Sequence, residues 1–233
     1  MTRLKFLPIV FLFVFHTLTA QVHLGLNGGF HFSQANQSNF YYSNAVSRPT
    51  HTFGAVLDIP LTRNLSVLLN PTYIEKETSA SPFHTLVFSP TISFNLSYLE
   101  LPLLVKYSVG NKLKPYILFG PTLGINLSSS LGAEIQGLPF AQIELEADAN
   151  DLVDDLEYSL ELGGGLMYQI DEFLDLSFEA RYSHGLNNII KSGRINGEFA
   201  DEILGGNILN HAVYKSKGFS INLGFTFPVH ISE

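Results

Sequence analysis

Apolar residues alternate with small or polar residues along the last part of this chain, and this period of two limits how the chain can fold. The odd positions of residues 219–227 are Phe, Ile, Leu, Phe and Phe, and the even positions are Ser, Asn, Gly and Thr. Successive side chains of a β-strand point to opposite faces, so this strand has one apolar and one polar face. The polar face is poor in lysine, which is unusual for a surface in bulk water. The pattern therefore favours a barrel wall, with lipid outside and a narrow polar lumen inside.

The composition supports the same interpretation. The chain has 233 residues, of which 45% are hydrophobic and only 15% are charged, whereas about 25% is usual for a soluble domain. No apolar run reaches the roughly 20 residues of a spanning helix, but a transmembrane barrel needs an apolar residue only at every second position. The chain has no cysteine and a net charge of −8. These values exclude disulfides and cysteine-bound metals and argue against nucleic acid as a partner.

The N-terminus has the pattern of a secretory signal peptide. Arg3 and Lys5 precede an apolar core at 6–15, and Leu18-Thr19-Ala20 provides a cleavage site before Gln21. We therefore predict a signal peptide at 1–20, a barrel domain at 21–233 and a location in the cell outer membrane. A membrane anchor is the alternative, and the short, proline-containing core disfavours it.

The alternation continues through the rest of the chain and predicts eight strands, at residues 22–33, 51–61, 65–76, 92–108, 114–128, 156–170, 173–184 and 213–227. Short connections at 62–64, 109–113 and 171–172 alternate with long polar segments at 34–50, 77–91, 129–155 and 185–212. Periplasmic turns and extracellular loops of outer-membrane barrels alternate in this way. The predicted fold is all-β, an eight-stranded antiparallel up-and-down transmembrane β-barrel. Tyrosine and phenylalanine near the strand ends predict an interfacial girdle.

Two segments resemble a known family. They are Tyr98-Leu-Glu-Leu-Pro-Leu-Leu-Val-Lys-Tyr107 and Lys114-Pro-Tyr-Ile-Leu-Phe-Gly-Pro-Thr-Leu-Gly124, and residues 174–185 and the last strand add to the likeness. Together they resemble the PorT-type outer-membrane β-barrel family of Bacteroidetes. The resemblance implies an eight-stranded barrel in the outer membrane. It implies little about activity, although one branch of that family belongs to a protein secretion and gliding machinery.

Strand alternation also places charged residues on the inward face of the predicted barrel. They form a candidate lumen charge network with a structural role: Asp58, Glu100, Lys106, Glu161, Glu179 and Arg181. An eight-stranded barrel is about wide enough to be filled by its own side chains. Charges in such a lumen have to be paired, because burying an isolated charge is very costly. A salt-bridged plug is the favoured interpretation, and an ion or proton path is the alternative.

Several histidines and acidic residues lie toward the end of the predicted barrel that carries the long loops. The histidines are His31, His51, His84, His184 and His211. Alternation puts His31 inward and His51, His184 and His211 outward, which favours interface residues over a metal site. The segment 129–155 and the adjoining Glu157 are acidic, which favours a solvated surface. The alternative is that divalent ions bridge this surface to lipopolysaccharide. The pattern of residues 145–156 predicts a short amphipathic helix.

No catalytic, cofactor-binding or metal-binding motif is present in the sequence. We therefore expect a non-enzymatic outer-membrane protein without a cofactor, with a structural or loop-mediated binding role. The expected partners are outer-membrane lipid, lipopolysaccharide and a protein bound through the extracellular loops. A soluble, secreted lipocalin-like barrel holding a small apolar ligand is one alternative. A component of a secretion or gliding machinery is another, and an enzyme acting on lipids or peptides at the loop rim is a third.

Overall fold

The computed structural model describes residues 22–37, 46–80, 89–138, 141–189 and 214–229. The signal peptide predicted at 1–20 lies outside these ranges. The described strands are β1 Val22–Gln37, β2 Val46–Ser47, β3 Pro49–Pro60, β4 Leu65–Leu69, β5 Thr72–Ala80, β6 Ser89–Ser108, β7 Leu113–Leu138, β8 Ala141–Asp148, β9 Leu156–Gln169, β10 Asp175–Gly185 and β11 Tyr214–Val229. A single 3₁₀ turn, Asn150–Leu152, is the helical element of this part of the chain. None of it is a helix long and apolar enough to cross a membrane.

The strands close into an eight-stranded antiparallel barrel, which confirms the predicted fold. The order around the wall is β1, β3, β4 with β5, β6, β7, β9, β10 and β11, and β11 pairs again with β1. Strands β4 and β5 together form one wall strand, interrupted at Asn70 and Pro71. Proline has no backbone N–H for the ladder, and β3 instead bonds here through Ala55 N–H to the Pro71 carbonyl, at 2.9 Å.

An apolar belt surrounds the wall, because alternate side chains of each strand point out of the barrel. On β1 it covers residues 24–32, and the register pairs these with residues 227–219 of β11. This length matches the roughly 9–11 residues that a tilted strand needs to cross a bilayer. Large apolar side chains in the belt are exposed, such as Leu223 at 65% and Ile117 at 64%. Such a surface is suited to lipid.

The short connections lie together at one end of the barrel, as predicted. They join β3 to β4, β6 to β7 and β9 to β10. In the second of them Gly110 has a φ of 109°, a left-handed conformation that favours glycine. We call this end the turn end and the opposite end the loop end.

The prediction of a polar loop at 129–155 is wrong. Strand β7 continues to Leu138 because its upper part stays paired with β6, and it then turns back into β8. The predicted helix over 145–156 is also wrong, since this segment holds the end of β8 and the 3₁₀ turn. Glutamate and apolar residues alternate with period two in β8, which is the pattern of a strand.

A β-bulge marks a change in the polarity of the wall. The register of β6 against β7 shifts between Ser97 and Tyr98. On the turn side of the bulge, outward residues of β6 such as Val105 are apolar and exposed. On the loop side, the outward residue Asn95 is exposed and the inward residue Leu96 is buried. Because the exposed outward residues change from apolar to polar there, we infer that the wall leaves the hydrocarbon layer at the bulge.

Candidate functional site

The lumen is the most elaborate polar site of the molecule. All six residues of the predicted charge network point into it and are buried: Asp58, Glu100, Lys106, Glu161, Glu179 and Arg181. Each of them takes part in at least one ion pair. The pairs form three groups at different heights, and each group is centred on one cation.

The group nearest the loop end is centred on Lys76. Its ammonium nitrogen lies 2.8 Å from Glu100 and 2.9 Å from Glu157. The Ser216 hydroxyl donates a hydrogen bond to Glu157. Lys76 also lies 4.7 Å from the centre of the Tyr98 ring, within the range of a cation–π contact. One cation therefore holds two carboxylates beneath an aromatic ring.

The middle group is centred on Arg181. Its guanidinium donates through Nε to Glu179 on the same strand and lies 3.5 Å from Glu161. The Tyr116 hydroxyl donates to Glu179 at 2.9 Å, and the Thr122 hydroxyl donates to Glu161 at 2.7 Å. Both carboxylates thus receive a second donor besides the arginine, as buried charges require.

The group nearest the turn end is the ion pair of Lys106 with Asp58. The Lys106 ammonium lies 5.4 Å from the centre of the Tyr116 ring. Asp175 is buried at the same end of β10. Neutral polar contacts also cross the lumen, including the hydrogen bond from the Thr52 hydroxyl to Asn222 at 2.8 Å.

Two residues of the ion-paired groups are not in the predicted network. The sequence assigns Glu157 to an acidic surface, but it lies on β9 and is 1% exposed. Lys76 ends the third predicted strand, and it is 4% exposed. Alternation carries the signal for both, because each shares the inward parity of its strand.

An apolar cluster closes the lumen at the loop end. It consists of Ile74, Leu96, Tyr98, Val153 and Ile189, all almost fully buried. We call this cluster the cap. Val153 follows the 3₁₀ turn and Ile189 follows β10, and the two segments are joined by the hydrogen bond from Asp154 N–H to the Ile189 carbonyl, at 2.8 Å. Because Tyr98 of the cap contacts the Lys76 ammonium group, the cap lies against the Lys76 group.

The candidate histidines are spread over different surfaces. His31 is buried in the lumen, His51 is exposed, and His184 is partly exposed on β10. His84 and His211 lie outside the described residues. Within the described ranges no three His, Asp or Glu side chains are grouped so that they could hold a metal ion. Small polar cavities remain in the lumen, lined by residues such as His31, Asn222 and Arg181.

A closed antiparallel barrel with an apolar outer belt and an ion-paired lumen defines a transmembrane β-barrel of the outer-membrane type. Residues 17–191 match the family model of the outer membrane protein beta-barrel domain. The chain belongs to this family, which indicates a location in the outer membrane. The match does not separate the PorT-type group from other members, so that finer assignment stays a prediction.

The chain is similar to solved barrels of outer membranes, at low sequence identity. Neisserial surface protein A (NspA) is 10% identical with a TM-score of 0.43, covering 89% of this chain and 97% of that one. Ail, the attachment invasion locus protein of Yersinia pestis, is 9% identical with a TM-score of 0.38, covering 89% and 99%. The outer membrane protease OmpT from Escherichia coli is 7% identical with a TM-score of 0.39, covering 92% and 99%. No curated protein matches the chain.

Proposed function

We propose that this protein is a non-enzymatic, non-conducting barrel that anchors a binding surface at its loop end. The observation that carries the proposal is the filled lumen. Three ion-paired groups occupy it at successive heights, and the cap covers the uppermost group. An eight-stranded barrel filled by its own side chains leaves no wide water channel.

The wall above the bulge supports a binding role. Strands β2, β5, β6, β7 and β8 are connected by backbone pairing there. Paired strands form a more rigid support than a free loop, and binding residues are commonly carried on loops held by such a scaffold. Under this proposal the loop end faces the outside of the cell, where a protein or lipopolysaccharide binds.

The lipocalin-like alternative requires apolar side chains inside the barrel and polar ones outside. In the structure Phe53 and Phe119 are exposed on the outer surface of the belt, while Glu161 and Arg181 are buried inside together with a small apolar cluster that includes Leu104 and Leu118. The exposed apolar belt argues against that alternative.

Conductance tests the proposal most directly. The protein, refolded in lipid vesicles and fused with a planar bilayer, is expected to give no steady ion current at neutral pH. A current that persists across many insertions would overturn the non-conducting role. Heat-modifiability on gels serves as the control for folding, because a folded barrel migrates differently before and after boiling.

An enzyme at the loop rim is tested by replacing His31, His184 and His211 with alanine. We expect unchanged lipid and peptide profiles in outer membranes that carry the variant. The loss of a lipid or peptide product from the variant's profile would show that the loop end has catalytic activity. A folded variant, verified by its gel shift, is required for the comparison.

The N-terminal processing and the finer family assignment remain part of the proposal. We expect the mature protein to begin at Gln21, which sequencing of the outer-membrane form would show. Assignment to the PorT-type group, and with it a role in a secretion or gliding machinery, is supported by the motifs around Tyr98 and Lys114. Secretion and gliding that are unchanged in a deletion strain would argue against that role.

A further inference from the structure

Strands β9, β10, β11, β1 and β3 are neighbours in the wall. The outward positions that the structure describes on these strands contain no aspartate or glutamate, although exposed acidic residues flank β9 at Asp155 before the strand and at Asp171 and Glu172 after it. We call these five strands the acid-free side of the wall. On the other side, the outward residue Glu75 of β5 is exposed and accepts a hydrogen bond from Tyr73. The acid-free side therefore differs in charge from the rest of the wall.

Basic residues occupy the loop-end edge of this acid-free side. Lys215 and Lys217 lie on the outward parity of β11, and His184 lies on the outward parity of β10. The register places His184 directly opposite Lys217. His51 is exposed on nearby β3, with its ring centre 5.3 Å from that of Phe30. We call Lys215, Lys217 and His184 the basic strip.

The height of the basic strip coincides with the upper edge of the apolar belt. Phe219 of β11 is paired with Phe32 of β1, and both are exposed. Lys217 occupies the next outward position above Phe219, a step of about 6.6 Å along the strand. Tyr182 of β10, also exposed, is paired with Phe219 just below the pair of His184 with Lys217. The strip thus lies where the hydrocarbon layer meets the headgroups.

The two lysines have no intramolecular counter-charge in the part of the chain described. The salt bridges there use Arg48, Lys76, Lys106 and Arg181 as their cations. Lysine stems pack along apolar surface while the ammonium group reaches the polar layer. Among the described residues neither ammonium group has an acidic partner, and the length of each side chain lets it reach an anion at the level of the headgroups.

We propose that the basic strip binds the phosphate of a phosphorylated lipid in the surrounding leaflet. Lys215 and Lys217 contact the phosphate oxygens, and His184 donates a hydrogen bond to the same headgroup. Phe219, Phe32 and Tyr182 pack against the acyl chains below. The surface favours a lipid over a soluble anion because the cations stand directly above an exposed apolar face, so the ligand has to be charged at one end and apolar at the other.

The placement of this lipid in the outer leaflet depends on the orientation given under Proposed function. Binding itself does not depend on that orientation, because a nanodisc presents the same lipids on both of its faces. The lipid-binding test is therefore separate from the conductance test, and either can fail without the other.

Lipid binding is measured on the folded barrel in phosphatidylcholine nanodiscs that contain a small fraction of bisphosphorylated lipid A, by native mass spectrometry. We expect wild type to retain lipid A and the double variant K215Q/K217Q to bind it roughly tenfold or more weakly, since each basic residue near an anionic surface contributes to binding. The variant K215R/K217R is expected to retain binding. The control R63Q/K112Q removes two exposed charges at the turn end and should bind like wild type.

Two results would overturn the proposal. Equal retention of lipid A by wild type and the K215Q/K217Q variant would show that the strip does not contact the phosphate. Equal retention of dephosphorylated and bisphosphorylated lipid A by wild type would show that no phosphate is recognised. The single variant K217Q gives a second measurement if the double variant folds poorly, and the gel shift on heating reports folding in every case.

Discussion

Asn27 and Asn70 face each other in the lumen and exchange two amide hydrogen bonds, of 3.0 and 3.2 Å. Asn70 is fully buried and also donates to the Ala55 carbonyl at 2.6 Å. Asn70 lies between β4 and β5, where the third wall strand is interrupted. Its side-chain amide is therefore the hydrogen-bond donor for the Ala55 carbonyl of β3 beside this interruption. This single side chain links β1, β3 and the β4–β5 strand.

Replacing Asn70 with leucine is expected to lower the free energy of unfolding. The substitution leaves the Asn27 amide and the Ala55 carbonyl without their partner, at a cost of about 1–3 kcal/mol for an unsatisfied buried group. Urea unfolding in lipid vesicles, followed by the gel shift, measures the loss. Asn95→Leu, at an exposed outward position, is the matched control and should have a small effect.

Replacing Lys76 with methionine is expected to destabilise the barrel strongly. Glu100 and Glu157 then lose their shared cation, and breaking a buried ion pair from one side costs about 3–5 kcal/mol. Adding Glu157→Gln should restore part of the lost stability, because it removes one of the two unpaired buried charges. The same unfolding assay applies, with Lys112→Met at the exposed turn end as the control. An unchanged midpoint for Lys76→Met would refute the pairing.

Two adjacent glycines of β1 are expected to respond differently to alanine. A Cβ on Gly29 would collide with the Ile221 carbonyl of the paired strand, so β1 and β11 would have to separate. A Cβ on Gly28 would meet the Thr52 carbonyl at 3.3 Å, which a small adjustment accommodates. We expect Gly29→Ala to reduce the folded band sharply and Gly28→Ala to leave most of it. Equal yields would count against the described register of β1.

An arginine on the belt tests the membrane-spanning surface. Ile117 is 64% exposed on the outer face of β7, where a charge would lie in hydrocarbon. Ile117→Arg is expected to lower the unfolding free energy measured in vesicles, by an amount that approaches about 2–4 kcal/mol the nearer the site lies to the bilayer midplane. Asn95→Arg, above the bulge, should be nearly neutral. An unchanged unfolding free energy for Ile117→Arg would indicate that this surface lies in water.

The sequence was sufficient to predict the wall of the barrel because alternation alone decides which residues face lipid. The same rule placed Asp58, Glu100 and Arg181 inside. It could not pair them, because a partner across the lumen depends on the stagger of the closed sheet. Glu157 was misplaced because it stands in a run of acidic residues, and that local composition concealed its strand parity.

Prediction was less successful at the loop end. Parity in the fourth predicted strand correctly places Asn95 outward and Leu96 inward, but the segment 129–155, predicted as a polar loop, holds the end of β7, β8 and the 3₁₀ turn. The helix predicted over 145–156 overlaps the end of β8, because a short segment can fit both periods. The cap depends on Val153 and Ile189 meeting from distant parts of the chain, and no local pattern encodes that contact.

The inversion of polarity at the Ser97–Tyr98 bulge has a mechanical consequence. Moving the barrel toward its turn end would bring Asn95 into hydrocarbon, and moving it toward its loop end would expose the apolar residues just below the bulge, such as Leu99, to water. On the other side of the wall, the step from Phe219 to Lys217 opposes the same displacements. Because both features oppose displacement along the membrane normal, the barrel is held at a fixed depth while the bilayer around it adjusts.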